Sequence, residues 1–494
     1  MRVTRSNSIG LLLLLATSGG LMAQDAPAPS AIVTNRQAVA PANGQAGGGP
    51  APAYGSGITP QQSEGPTLTG LDEPAVGPTG RDPLAVGDSF IQPGVFVSQG
   101  IDTNAQNRIG GSDVVSATHL FGTLALQKVR ARTETDIGYV GGVGIYSSSD
   151  RRVRQIHDLY LSERYQWRRS QIRIRDGFTY LPEGTFGYGA FGGIGGTPDG
   201  LGFGGGLGSG LGGGRFNFFG PGDFGSFTGL SRISNLTIVD YQESLTRRTS
   251  FSLAGGYGLL HFPENKLGAT DSRQTSAQAG LDYALTRRDR VAVVYGFQRF
   301  RFPDFARSSF QSHSLEFLYG HQISRRMDFE IGAGPQWSMF KDPLTGANVT
   351  RLSTIGRIEL RYRFPKTSVF AVYDHYTTAG SGIFLGAASD VARVGLTRPL
   401  TRVWRGSVDF GFSHQRRVQP TLAGVQANYY NYGFAGVSAH RPLGHHLTLS
   451  VGYQFDENYF DRTFCGADST CLRTTSRHSA GVSLEWRPRP IRLD

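Results

Sequence analysis

The sequence predicts an all-β chain folded as a transmembrane, antiparallel, up-and-down β-barrel of about 18 strands. Three observations predict it. Composition excludes the helical classes. Long segments alternate polar and apolar residues with period two. Short basic turns recur at a spacing of roughly 40 residues.

Composition comes first. The chain has 494 residues, 69 of them Gly, and only 18% are charged. Glycine costs about 1 kcal/mol per helix position relative to Ala, so this much of it opposes a helix-rich fold. Past the leader, no apolar run reaches the roughly 18 residues of a spanning helix. The aromatic content, 31 Phe, 20 Tyr and 4 Trp, opposes wholesale disorder. The net charge is +11, and only Lys128, Lys266, Lys341 and Lys366 among the 49 basic residues are lysine. The arginines are spread along the chain with no compact patch, which argues against nucleic acid as a partner.

The N-terminus reads as an address. Arg2 and Arg5 precede an apolar core with five consecutive leucines, and Leu21-Met22-Ala23 offers a cleavage site. Residues 1–23 are therefore expected to be a secretory signal peptide. Residues 24–88 are rich in Ala, Pro and Gly without periodicity, so a disordered periplasmic tail is expected. Outside the cytoplasm Cys465 and Cys471 are free to pair, and a disulfide closing a surface loop is the expectation. No metal-ligand spacing surrounds them, and no metal or other cofactor is expected.

From residue 89 to 487 the barrel pattern holds. In residues 357–364, Ile358, Leu360, Tyr362 and Phe364 take one face and Arg357, Glu359, Arg361 and Arg363 the other. The last segment sets Ala480, Val482, Leu484 and Trp486 against Ser479, Gly481, Ser483 and Glu485. Such runs are membrane-length, whereas sandwich strands average about 5–6 residues. The recurring turn reads Leu245-Thr246-Arg247-Arg248, Leu285-Thr286-Arg287-Arg288, Ile323-Ser324-Arg325-Arg326 and Leu400-Thr401-Arg402. Tight turns are expected near 129, 167, 247, 287, 325, 365, 402 and 444, and looser loops between them. Both barrel ends then lie on the tight-turn, periplasmic side. Residues 488–494 form a C-terminal extension beyond the last strand.

The run Gly94-Val95-Phe96-Val97-Ser98-Gln99-Gly100-Ile101-Asp102-Thr103-Asn104 opens the barrel with an early strand running into an Asp-x-Asn loop. Tyr160-Leu161-Ser162 and Arg173-Ile174-Arg175-Asp176-Gly177 follow the same pattern. In this the chain resembles the β-barrel porins found with exopolysaccharide loci in Gram-negative bacteria. The resemblance implies an outer-membrane location, assembly by the barrel-assembly machinery, lipid as the surrounding partner and polysaccharide as a candidate cargo. Barrels of that class usually end on an aromatic residue, and here Arg487 and the extension follow Trp486.

Function follows from the irregularities. The Gly-rich segment 182–231 joins the fifth and sixth strands. Trimeric porins fold the loop at that position into the channel, so a constriction or plug is one reading and a surface loop the other. Its G-x-G-x-x-G match at 208–213 lacks a strand–helix context and implies no nucleotide. Catalysis is not expected. The adjacent pairs His313-Ser314 and His478-Ser479 fall on opposite faces. His375 and Thr377 share a face with Asp374 on the other, which leaves them as the sole catalytic alternative.

The candidate pore-lining residues are Arg173, Arg175, Arg357, Arg361, Arg363, Arg393 and Arg405, with Glu359 and Asp409. Arg417, Glu316, Asp328, Glu330 and Glu485 share their inward phase. Two readings stand: an interior ion-pair lattice that fills the wall, or an arginine-lined lumen that attracts anions or acidic sugars, as in alginate-export porins. The functional expectation is a porin-like channel for small anionic solutes or exported polysaccharide. Its alternative is a non-conducting structural or assembly barrel.

Overall fold

A computed structural model describes residues 89–493 other than 105–109, 112, 148–152, 182–231, 264–269, 304–307, 325, 342–345, 365, 381–383, 420–426 and 466–471. The expected signal peptide, the tail at 24–88 and the Gly-rich segment 182–231 all lie outside the described residues. So does Cys471, and Cys465 closes a short 3-10 turn, Arg462–Cys465, with its side chain outside the description.

The strands are β1 (Phe90–Asp102), β2 (Val115–Val129), β3 (Thr133–Tyr146), β4 (Val153–Gln166), β5 (Ser170–Leu181) and β6 (Arg232–Ser244). There follow β7 (Thr249–His261), β8 (Ser272–Ala284), β9 (Asp289–Phe302), β10 (Ser308–Ser324), β11 (Met327–Lys341) and β12 (Asn348–Arg363). The last are β13 (Ser368–Thr378), β14 (Ala387–Pro399), β15 (Arg405–Arg417), β16 (Tyr429–Pro442), β17 (Leu447–Phe460), β18 (Thr474–Trp486) and the two-residue β19 (Ile491–Arg492). Each strand from β1 to β17 pairs antiparallel with its successor, and β18 pairs with β1, so the 18 long strands close. All eight expected tight turns fall between the expected strands. The long strands run from 11 residues in β13 to 17 in β10.

The recurring turn has a mechanism. The Thr286 hydroxyl oxygen accepts the backbone N–H groups of Arg288 and Asp289, both at 3.0 Å. Thr246 does the same for Arg248 and Thr249, and Thr401 for Val403 and Trp404. A hydroxyl that satisfies the turn amides locally lets the chain reverse in few residues. The exposed arginines after it point to water.

Alternation sets the two faces. On β18, Val482 is 46% exposed and Ser483 2%. Outward positions around the barrel are large and apolar, among them Val97, Leu253, Val293, Phe317, Phe410 and Leu484. The polar groups on that face pair with one another. Tyr139 bonds His157 at 2.9 Å, Tyr295 bonds His313 at 2.7 Å and Tyr453 bonds His478 at 2.8 Å. Such amphipathic rings suit the boundary between hydrocarbon and head groups.

The C-terminal extension prolongs the wall. After Trp486 the chain passes Pro488 and Pro490, which donate no backbone hydrogen bond. It then re-pairs as β19 with Phe90 and Ile91 of β1. Gln92 Nε2 donates to the Pro488 carbonyl at 3.0 Å, and Leu493 N donates to the Ser89 carbonyl at 2.8 Å.

Candidate functional site: an ion-paired lumen and an aromatic mouth

Period two turns each inward residue toward the lumen, and the ladder register decides which of them meet. Arg175 on β5 is 1% exposed and donates through Nη2 to Asp240 of β6. Arg173, also buried, lies directly across from Asp240. On β12, Glu359 stands between two arginines: Arg357 Nη2 donates to it at 3.1 Å and Arg361 Nε at 2.6 Å. Arg357 Nε also lies 3.7 Å from the Asp374 carboxylate of β13. Arg393 of β14 grips Asp409 of β15 through both Nε and Nη2. Arg405 is half-buried on β15, and the side chain of Arg363 lies outside the description. Arg417, near the mouth, donates to Asn428 Oδ1 at 2.8 Å. The candidate residues thus form three clusters, on β5–β6, β12–β13 and β14–β15, rather than one ring. Each holds carboxylates beside its arginines. Asp328, Glu330 and Glu485 are buried inward as well, and Glu485 pairs with Arg487.

Sequence reasoning missed a fourth cluster. Arg477 of β18 donates to Asp102 at the outer end of β1, 2.8 Å from Nε to Oδ2. Both are nearly fully buried, and the Tyr432 hydroxyl and Gln454 Nε2 donate to neighbouring Asp456 at 2.6 and 2.8 Å. The two partners lie 375 residues apart and meet only because the barrel closes. Arg164 of β4 and Glu134 of β3 were missed likewise.

A shallow polar recess lies on the inner face over β8–β13. Ser312, Ser314, Glu316, Gln336, Arg357 and Asp374 are among its lining residues. Hydroxyl, amide and paired ionic groups there offer donors and acceptors to a polyhydroxylated solute.

The mouth is built differently. Phe300 and Phe302 of β9, Phe310 of β10 and Phe340 of β11 cluster with Ala379 and Leu385 of the β13–β14 connection. A second cluster brings Tyr430 and Tyr432 of β16 and Phe460 of β17 together with Tyr376 and Phe384. The Phe384 ring lies 5.6 Å from that of Tyr430. One short connection therefore touches both walls. Gly380 (φ 90°) and Gly386 (φ 89°) supply its left-handed turns. Phe384 N donates to the Gly380 carbonyl at 3.0 Å and Gly386 N to the Ala379 carbonyl at 3.1 Å.

This tuck is bought at the wall. β12 and β13 pair only from Gly356–His375 to Arg363–Ser368, while β11 pairs with β12 along its whole length. Among the described residues, the β13 side of residues 348–355 has no ladder partner. Leu352 in that stretch is 67% exposed. Unpaired backbone groups cost several kcal/mol each in hydrocarbon. Above His375, β13 bends into the lumen, and Thr377 Oγ1 donates to Gln336 Oε1 on the inner face of β11 at 2.8 Å. Thr377 keeps the ladder phase it shares with His375, as expected, but its hydroxyl meets β11 while His375 bonds Asp390 at 2.7 Å. His313 and Ser314 diverge as expected, the first to Tyr295 and the second to the recess.

No family model matches this chain, and no curated protein matches it. Among solved structures, the outer membrane protein OpdK from Pseudomonas aeruginosa aligns at 8% identity and a TM-score of 0.40, over 81% of this chain and 98% of that one. The ferric citrate transporter FecA aligns at 9% identity and a TM-score of 0.40, over 82% and 80%. The FrpB iron transporter from Neisseria meningitidis aligns at 7% identity and a TM-score of 0.37, over 80% and 82%. Similarity of this size bears on neither substrate nor mechanism.

Proposed function

We propose that this protein is an outer-membrane β-barrel channel that passes small polar solutes, saccharides and anions among them. The observation that carries the reading is the closed 18-strand wall with an apolar exposed face and a polar, ion-paired inner face. A closed barrel is one of the two architectures that satisfy every backbone group in lipid. Lipid is then the partner of the outer face, and the barrel-assembly machinery inserts it.

The ion pairs argue for weak rather than strong charge selectivity. Arg175 with Asp240, Arg393 with Asp409, and Arg357 and Arg361 with Glu359 largely cancel one another's fields. The recess at β8–β13 is the favoured contact for a sugar, which suits a polysaccharide or its fragments as cargo. A second reading, a non-conducting structural barrel, is favoured by one observation, the aromatic packing around the β13–β14 connection at the loop end.

Planar-bilayer recording separates the two. A conducting protein with a reversal potential near zero in a salt gradient supports the channel. Asp409→Asn should then shift the reversal potential toward anions, because Arg393 is left uncompensated. Absence of conductance from a heat-modifiable, outer-membrane-fractionated protein, even after removal of residues 379–386, would favour the structural reading.

A further inference from the structure

Four cations gather on the outward face of the wall at the loop end, within strands rather than in turns. Phe300 and Phe302 of β9, Phe310 of β10 and Phe340 of β11 are buried on the inner face. Alternation therefore turns Arg299, Arg301 and Lys341 outward, and Arg273 of β8 lies directly opposite Arg301. Arg273, Arg301 and Lys341 are exposed, and Arg299 is half-buried. We infer that this face of β8–β11 is a docking surface for a phosphorylated lipid of the outer leaflet, whose phosphate groups these four side chains hold. The inference rests on the outer-membrane reading of the barrel and not on conduction.

Register and height support it. Phe297, His313 and Trp337 share one rung across β9, β10 and β11. With Tyr295 bonded to His313, they form an outward aromatic band of the kind that marks the edge of the hydrocarbon. On the same strand Arg299 is two residues beyond Phe297 and Arg301 four; Lys341 is four beyond Trp337. At about 3.3 Å per residue and a strand tilt of about 40°, the arginines start roughly 5 and 10 Å above the band, at the depth of lipid head groups. Arg301 pairs with Ser309, and Lys341 follows Phe340, the partner of Phe310. Arg273, Arg301 and Lys341 thus end one row across β8–β11.

Charge supports it too. Like charges directly opposite each other destabilise a ladder, and Arg273 and Arg301 are such a pair. Among the described residues, no carboxylate is bonded to any of the four cations. Asp271, two residues before Arg273, accepts instead from His261 Nδ1 and from the Phe262 backbone N–H, the latter at 2.9 Å. Arg299 Nε is enclosed and has no hydrogen-bond partner among the described residues. A lipid phosphate answers each of these features. Its charge offsets the opposed pair, and its oxygens accept from guanidinium forks. Its acyl chains would lie along the apolar wall below the aromatic band. The arginines of the tight turns differ: Arg247, Arg248 and Arg287 follow one another in reversals beyond the strand ends, at the opposite end of the barrel.

The test titrates the full-length protein in detergent with diphosphoryl lipid A, an acylated glucosamine disaccharide, and counts bound lipid by native mass spectrometry. On the unsubstituted protein, the dephosphorylated lipid should bind about tenfold or more weakly. Arg273→Gln, Arg299→Gln and Arg301→Gln together should weaken diphosphoryl lipid binding about a hundredfold, at about fivefold per cation. The heat-modifiable shift on a gel should stay. Arg247→Gln, Arg248→Gln and Arg287→Gln remove the same charge from the turns and should leave binding unchanged. Equal binding of the two lipids by the unsubstituted protein overturns the site, whether or not any variant folds. Equal loss from the turn variant reduces the attraction to net charge and overturns it as well. Displacement of the lipid by equimolar inorganic phosphate would mark a free-anion site and overturn the lipid as occupant. A soluble protein without heat-modifiability overturns the barrel reading and the site with it, whereas a heat-modifiable barrel that binds both lipids equally loses the site alone.

Discussion

At the tight-turn end each strand pair keeps its ladder into the reversal, and hydroxyls of Thr246, Thr286 and Thr401 satisfy the turn amides on the spot. At the loop end the ladder between β12 and β13 stops at Gly356–His375, and apolar side chains from β9, β10, β11, β13, β14, β16 and β17 pack with the β13–β14 connection. The first end is held by local backbone hydrogen bonds. The second is held by long-range apolar packing, and among the described residues the β13 side of residues 348–355 has no ladder partner.

Several measurements break or sharpen this contrast. The largest effect is expected where the loop end relies on charge. Arg477→Met strands Asp102 in a buried site, and breaking such a pair costs about 3–5 kcal/mol. Urea titration in detergent should show that loss, and Arg477→Met with Asp102→Asn should recover part of it. No recovery would mean that Arg477 acts through packing alone.

Next comes the wall itself. Phe317 points outward and is 54% exposed on the long strand β10. Phe317→Arg should cost about 2–4 kcal/mol of folding stability in lipid, the penalty of an outward charge near the midplane. Arg361→Leu, on the inner face, should cost less, since Glu359 keeps Arg357. Equal losses in a heat-modifiability assay would refute the assignment of faces.

Glycines compare the two ends directly. Gly444 in a tight turn has φ 99° with nothing within 4 Å of its missing Cβ, whereas at Gly380 (φ 90°) a Cβ would lie 2.5 Å from the Phe384 carbonyl oxygen. Gly444→Ala should therefore cost about 1 kcal/mol for the left-handed backbone alone. Gly380→Ala should cost more and should loosen the mouth, seen as faster proteolysis near residues 379–386.

The smallest effect concerns Cys465 and Cys471, which the sequence reading expects to form a disulfide. Thiol labelling of the unfolded protein should fail without reductant and go to completion with it. Labelling before reduction would show free thiols.

Much of this was legible in the residues. The eight tight turns and the inward phase of Arg175, Glu359 and Asp409 follow from period two and from the Thr-Arg repeat, both of which are local. The pairing of Arg393 with Asp409 was within reach too, because β14 and β15 are sequence neighbours. A pattern within one hairpin carries its own register.

Other features depend on contacts the linear pattern does not encode. Arg477 reaches Asp102 only after the first and last strands meet, and β19 finds β1 for the same reason. Alternation alone kept Thr377 in phase with His375, as the β13–β14 register does, but it did not show that the ladder to β12 ends at His375. The decision lies in the burial of Phe384 and Leu385 against rings from β9, β10, β11, β16 and β17, a sum over distant side chains. Period-two patterning thus determined, from the sequence alone, that a closed barrel forms and which face each residue takes. Where the ladder between β12 and β13 ends was decided by tertiary packing, because apolar contacts between remote strands compete there with the local hydrogen bonds of a single hairpin.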